Sequence, residues 1–371
     1  MSSPDILDFE RLLAPIPGDR PAGADLRQDT SPNPIYYRIK DARSAARAAE
    51  RSLEALDDES DMEREAAAPL KDWRTVLDLA PKVLAEQTKD LEVTAWLIEG
   101  LVRLHGFAGL RDGFRLARGL VEAFWDDLYP AEDEEGVLTK VAPLAGLNGE
   151  GAEGALIQPI RKIPITDGAD PGPFGLWHYE QASKLLEVSE EKREQRIAAG
   201  AVTLSQFEAS AKATLSDFYR RIIPDLELCQ SEFDQLNAAL AERCGSDAPP
   251  SSQISTTLTA VQDILRAFGR DAVAVETAPA PADGAAPSQA VPGALAPAGL
   301  QTRDDAFRTL LKVAEFFRQT EPHSPISYTL EEVVRRGRMP LPELLGELIS
   351  DSEARRTFFL TAGIKPPQEE G

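Results

Sequence analysis

DWRTVLDLAPKVLAEQTKDLEVTAWLIEGLVRLHGFAGLRDGFRLARGLVEAFWDDLYP spans Asp72 to Pro130, and its periodicity decides the fold class. From Leu91 the pattern recurs at Ala95, Ile98, Val102 and His105. From Phe114 it recurs at Ala117, Val121, Phe124, Trp125 and Leu128. Steps of three and four put such residues on one face of a helix, so each run predicts a helix with one buried side. Asp72 before Trp73 fits an N-cap, and Pro81 predicts a kink or a break inside the Trp73–Gln87 pattern.

The same signals extend outward. Asn33-Pro34 fits an N-cap followed by proline at the first helical position. Residues 130–154 hold AEDEEG and GLNGEGAEG and read as a loop region with one short helix. Helical character resumes from Phe174 to Gly269, with Thr203 as an N-cap and DAPP as a break before the last helix. No β pattern of any length is visible, so the expected class is all-α.

Residues 271–303, DAVAVETAPAPADGAAPSQAVPGALAPAGLQTR, are Ala/Pro-rich with few charges. Proline at this density blocks helix hydrogen bonding, and the bulky apolar content is too low for a core. The expected organisation is an N-terminal helical domain over 1–167, a helical middle domain over 168–270, a flexible linker over 271–303 and a small helical C-terminal domain over 304–371. Within the last, EPHSPISYTLEEVVRRGRMPLPELL (Glu321–Leu345) uses its prolines as punctuation. Ser324-Pro325 fits a helix start. Leu330, Val333 and Val334 lie along the helix, Arg335 and Arg336 fall in its last turn, and Gly337 fits the left-handed residue that ends it. Pro342 opens a further helix with Leu341, Leu344, Leu345, Leu348 and Ile349 as its apolar side. Phe307, Leu311 and Ala314 form a stripe on the preceding helix. A module of this size is near the lower limit for a lone core, so copies are expected to pack side by side. The candidate oligomer or partner interface is His323, Tyr328, Arg335, Arg336, Arg338, Leu341, Leu344, Leu345 and Leu348.

Charge restricts the partners. The 371 residues carry a formal net charge of −22. Residues 301–371 hold ten Lys/Arg against twelve Asp/Glu, so the remainder is strongly acidic. Such a body repels a phosphate backbone, which argues against nucleic acid as a partner. No apolar run approaches a membrane span and the N-terminus lacks a secretory pattern, so a cytoplasmic location without membrane insertion is expected. The two cysteines, Cys229 and Cys244, are too few for a disulfide framework.

Motifs for catalysis are missing. GxxxxGK[ST], HExxH and GxSxG do not occur, and LNGEGAEG follows no strand. Asp126-Asp127 and Glu132 to Glu135 read as a solvated acidic face. His105 sits near a helix C-terminus, where a cation complements the dipole. His178, beside Trp177 and Tyr179, reads as an aromatic packing or interface residue. No catalytic group, metal or cofactor is expected.

PIPGDRPAGADLRQD (Pro15–Asp29) resembles the opening of the ImpA/TssA N-terminal domain family of type VI secretion proteins, through a Pro-rich start and the pair Asp25 and Leu26. The Asp72–Pro130 block resembles the family's main signature. It has the helix start Asp72 and Trp73, a KDL-x-V turn, a joint with Leu104, Gly106, Gly109 and Leu110, and an ending with Trp125, Asp126 and Pro130. LAGLNGEG and LIQPIRKIPIT follow in the same order, and EPHSP with RRGRMPLPELL resembles the end of short-tailed members. The resemblance implies a non-enzymatic, cytoplasmic organiser. Its C-terminal part would form a homo-oligomeric ring, and it would contact baseplate, sheath and inner-tube proteins to promote tail assembly, on the baseplate side for a short tail. The competing expectation is a monomeric or dimeric adaptor or chaperone that escorts one secretion component.

Overall fold

The computed structural model describes residues 2–54, 67–168, 170–276, 303–320, 325–339, 344 and 347. The chain falls into two compact units, Met1–Ala282 and Asp283–Gly371. The first contains α1 (Phe9–Leu12), α2 (Ile35–Glu54), α3 (Ala67–Glu86), α4 (Leu91–Phe124), α5 (Val137–Asn148) and α6 (Ile157–Lys162). It continues with α7 (Leu176–Leu185), α8 (Glu190–Ala198), α9 (Leu204–Ala213), α10 (Ser216–Cys244) and α11 (Ser252–Glu276). The second contains α12 (Arg303–Thr320) and α13 (Ile326–Arg338). Among the described residues, β pairing is confined to isolated bridges, so the fold is all-α.

The long helix α4 organises the first unit. Asp90 caps it by accepting from the Glu92 and Val93 amides. At Gly106 the backbone leaves helical geometry, with φ 55° and ψ −135°. A side chain is strained at that φ, so glycine lets the helix bend there. The two halves then take different partners. The first half packs on the α2–α3 hairpin through Trp73, Val76, Ala80 and Val83, all fully buried. The second packs along α10, where the Phe114 and Phe233 rings lie 4.7 Å apart. On α10, Leu226, Cys229, Phe233, Leu236 and Leu240 recur at helical spacing and are all buried. Each large side chain removed from water in this way contributes about 1.5–3 kcal/mol.

Several local expectations change. Asp72 is not an N-cap. It lies inside α3, which starts at Ala67 because alanines extend the helix before the apolar period begins. α3 also runs through Pro81 without a break. The buried neighbours Ala80, Val83 and Leu84 hold the helix against a proline cost of about 3 kcal/mol. α2 begins at Ile35, with the Pro34 carbonyl accepting from Arg38, so the proline sits one position earlier than expected. Thr203 does cap α9, in a reciprocal box with Gln206. No separate core starts at residue 168. Phe207, Tyr219 and Leu258 belong to the same cluster as Trp73 and Leu110, because α10 lies along α4. α11 continues to Glu276, six residues into the stretch read as linker from 271.

In the second unit, α12 and α13 pack on each other through Ala314 and Val334. Arg318 of α12 pairs with Glu331 of α13. Gly337 is not a left-handed terminator, since it lies within α13, which ends at Arg338. Its bare Cα lets the Phe307 ring approach, where a Cβ would collide. Pro325 stands at the N-cap of α13. The expected Ser324 cap, and the helix expected after Pro342, lie outside the described residues apart from Leu344 and Glu347.

Candidate interaction surfaces

Three segments of the N-terminal signature meet in space. The Lys89 amide donates to the Ala22 carbonyl at 2.8 Å, and the Ala24 amide donates to Gln87 at 3.0 Å. The Leu91 amide donates to Tyr129 at 2.7 Å, and the Tyr129 amide donates to Lys89 at 3.0 Å. The proline-rich opening, the KDL turn and the YP ending are thereby joined. The bend at Gly106 makes this possible by returning the second half of α4 toward the start of the first.

Charged groups at this junction find hydrogen-bond partners. Asp25 caps the 3-10 turn Leu26–Gln28, and Leu26 is buried beneath it. Arg27 donates to Asp90 at 2.7 Å and to Glu92 at 2.6 Å, and Glu92 also accepts from the Tyr36 hydroxyl at 2.7 Å. Burial raises the Asp90 carboxyl above its usual range, with Arg27 opposing. Lys89 is fully buried, and its ammonium donates to the Leu12 and Leu84 carbonyls, each at 2.7 Å. Burial pushes it down to about 8.

A second polar cluster ties residues 3–7 across α4 and α10. Asp112 accepts from the Ile6 and Leu7 amides at 2.6 and 3.1 Å, while Asp225 accepts from the Ser3 amide at 2.8 Å. Arg111 lies between these carboxylates and donates to the Ser3 and Pro4 carbonyls. Sequence pattern did not single out this clamp. An Arg-Asp pair inside an apolar helical run was the available signal.

The other signature residues divide between core and groove. Trp73 is fully buried and donates its indole N–H to Glu50 at 2.7 Å. The Arg103 guanidinium sits 4.3 Å over the Trp73 ring and binds the same carboxylate. Trp73, Leu104 and Gly106 line one groove with Leu70, Lys162 and Pro164. Leu110 is core, and Gly109 brings its turn against the Leu101 carbonyl. At the far end, Trp125 and Asp126 border a polar recess, Lys140 lies 5.0 Å from the Trp125 ring, and Pro130 follows a cis peptide. Asp72 is half-buried and lies outside both recesses.

Two of the histidines, His105 and His178, lie among the described residues. His105 is exposed at the bend of α4. The His178 Nδ1 accepts from the Gly175 amide at 3.0 Å, its ring packs on Trp177 and Phe174, and burial lowers its basicity. Among the described residues, no group of three or more His, Cys, Asp or Glu is placed to hold a metal ion. No described helix is long and apolar enough to cross a membrane.

In the second unit, Tyr328 and Val333 are exposed, at 66% and 49%. Arg335 and Arg336 both pair with Glu332 and Glu347, and the hydrogen bond from Arg335 pulls Glu332 down to about 2. The expected arginine patch is thus interleaved with carboxylates. Arg338 lies 5.6 Å from the Phe307 ring, and Leu344 is half-buried. His323, Leu341, Leu345 and Leu348 lie outside the described residues.

The profile of the family described as "ImpA, N-terminal, type VI secretion system" matches residues 13–149, from the end of α1 to the end of α5. Residues 13–149 belong to the ImpA N-terminal family. The junction and the bend at Gly106 therefore lie inside the ImpA domain. The full chain is similar to the type VI secretion system component TssA1 of Pseudomonas aeruginosa, at 29% identity over 93% of this chain and 96% of that one. Among solved structures it is similar to a Burkholderia cenocepacia domain, the N-terminal domain including the conserved ImpA_N region of the TssA component, with TM-score 0.59 and 27% identity. That match covers 71% of this chain and 94% of the other. The chain is a homologue of the TssA component of the type VI secretion system.

Proposed function

We propose that this chain is a non-enzymatic structural organiser of the type VI secretion system. It oligomerises through residues 304–371, and the ImpA domain contacts baseplate, sheath and inner-tube proteins to promote tail assembly on the baseplate side. The observation that carries this reading is the extent of the likeness to TssA1, which spans 96% of that protein and so continues beyond the N-terminal family region. Two features support it. The pairings at the motif junction are structural ones, and apolar side chains remain exposed on both helices of the second unit, including Leu311, Val313, Tyr328 and Val333. Many copies in a ring gain avidity from weak individual contacts.

The test is sheath assembly, followed by fluorescence in a bacterium whose own copy of this chain has been deleted. Extended sheaths should vanish on deletion, return with the wild-type chain, and fail to return with Tyr328→Asp/Val333→Asp. Sheaths that assemble normally without the chain would refute the organiser reading.

A further inference from the structure

A polar pocket opens between α2, α4 and α5, apart from the Trp73 groove and touching the junction only at Glu92. Its walls include Arg43 and Arg47 of α2, Glu99 of α4, and Ala142 and Gly146 of α5. Glu99 is only 1% exposed. One carboxylate oxygen, Oε1, accepts from Arg43 at 2.8 Å. The other, Oε2, is buried and accepts no hydrogen bond among the described residues. A buried acceptor without a donor costs about 1–3 kcal/mol, so it is a specific demand for an N–H or O–H. Arg47 Nε lies 3.9 Å from that oxygen, beyond hydrogen-bond length, and the Arg47 side chain is 36% exposed.

Charge accounting narrows the occupant. The other two acids of the wall have partners outside the pocket, Glu92 with Arg27, which Asp90 shares, and Glu153 with Arg161, which Glu180 shares. Arg43 matches Glu99. Arg47 is the partly exposed cation of the wall, beside an oxygen that lacks a donor. An anion satisfies the first and an N–H satisfies the second. Small residues leave the room, since a Cβ added at Gly146 would meet nothing within 4 Å.

We propose that this pocket binds a carboxylate carrying an N–H on the adjacent carbon. Two sources share that chemistry, a free α-amino acid and the C-terminal residue of a protein chain. Arg47 turns from Glu99 onto the ligand carboxylate in a two-pronged contact, and the uncovered Oε2 takes the ligand N–H. The inference stands apart from the ring and from the type VI reading.

The experiment is saturation-transfer NMR on the full-length protein with alanine, N-acetylalanine, N-acetylalanine methyl ester and acetate. Alanine or N-acetylalanine should bind saturably, with the ester and acetate weaker by about tenfold or more, since each lacks one half of the recognition. Binding of alanine alone assigns the free amino acid. Binding of N-acetylalanine assigns a chain terminus. Arg47→Ala and Gly146→Leu should each weaken binding about tenfold at an unchanged melting temperature. Gly146→Leu removes no polar group and only fills the space. Acetate binding as tightly as the better of alanine and N-acetylalanine, binding that survives Gly146→Leu, or no saturable binding up to about 50 mM overturns the proposal.

Discussion

Lys89 Nζ donates to the main-chain oxygen of Leu12 at 2.7 Å, although 77 residues separate the two. The same ammonium also holds Leu84, so one buried cation joins α1 to the end of α3. A neutral amine still has two N–H groups for these two carbonyls. Deprotonation therefore removes the buried charge without removing a hydrogen bond.

A pH dependence follows. The folded pKa of about 8 lies below the ordinary lysine value of 10.5. Between these values the unfolded chain holds more protons, so the contribution of Lys89 to stability rises with pH through that window. Below pH 8 the full penalty for burying the charge applies. Denaturant unfolding of wild type and Lys89→Met at pH 7 and pH 10 should show the wild type gaining relative to the variant, by at most about 3 kcal/mol. A stability difference independent of pH would contradict this account of Lys89.

The Asp112 clamp makes a separate prediction. Asp112→Ala leaves the Ile6 and Leu7 amides without their acceptor and Arg111 buried beside one carboxylate fewer. The loss is expected at about 3–5 kcal/mol, as for breaking a buried pair. Amide exchange at Ile6 and Leu7 should accelerate before that of the α4 core. Exchange there at the wild-type rate would remove the clamp from the account.

Glycines along the chain test the geometry of close approach. Gly109→Ala places a methyl group against the Leu101 carbonyl, which only a backbone shift relieves. Gly106→Ala meets a positive φ. Both should lower stability by about 1–3 kcal/mol in thermal unfolding. Gly146→Ala adds a methyl into open space within α5 and should be neutral, or stabilising by up to about 1 kcal/mol. An equal loss at all three positions would contradict the packing described.

The helices were legible because burial writes a period into the sequence. The stripe from Leu91 and the stripe from Phe114 are the two halves of α4, and the joint between them is the bend at Gly106. Helix ends were less legible where the cue had two physical meanings. Asp72 has the chemistry of a cap, but the alanines before it continue α3. Gly337 has the permissiveness of a terminator, yet the fold uses its lack of a side chain to seat Phe307. Long-range polar pairs left no local trace. Arg27 and Asp90, or Asp112 and Ile6, stand far apart in sequence and join only after the helices pack. The Glu99 pocket was invisible for the same reason, since Arg43, Glu99 and Gly146 come from three helices.

The central claim is that the C-terminal unit assembles copies of the chain. Light scattering during size exclusion, on full-length protein at micromolar concentration, tests it most directly. The account predicts a mass of many chains for the wild type, and a large fall in mass for Tyr328→Asp/Val333→Asp with helix content retained. A wild-type protein that runs at the mass of one or two chains would contradict the ring and favour an adaptor that escorts a single secretion component.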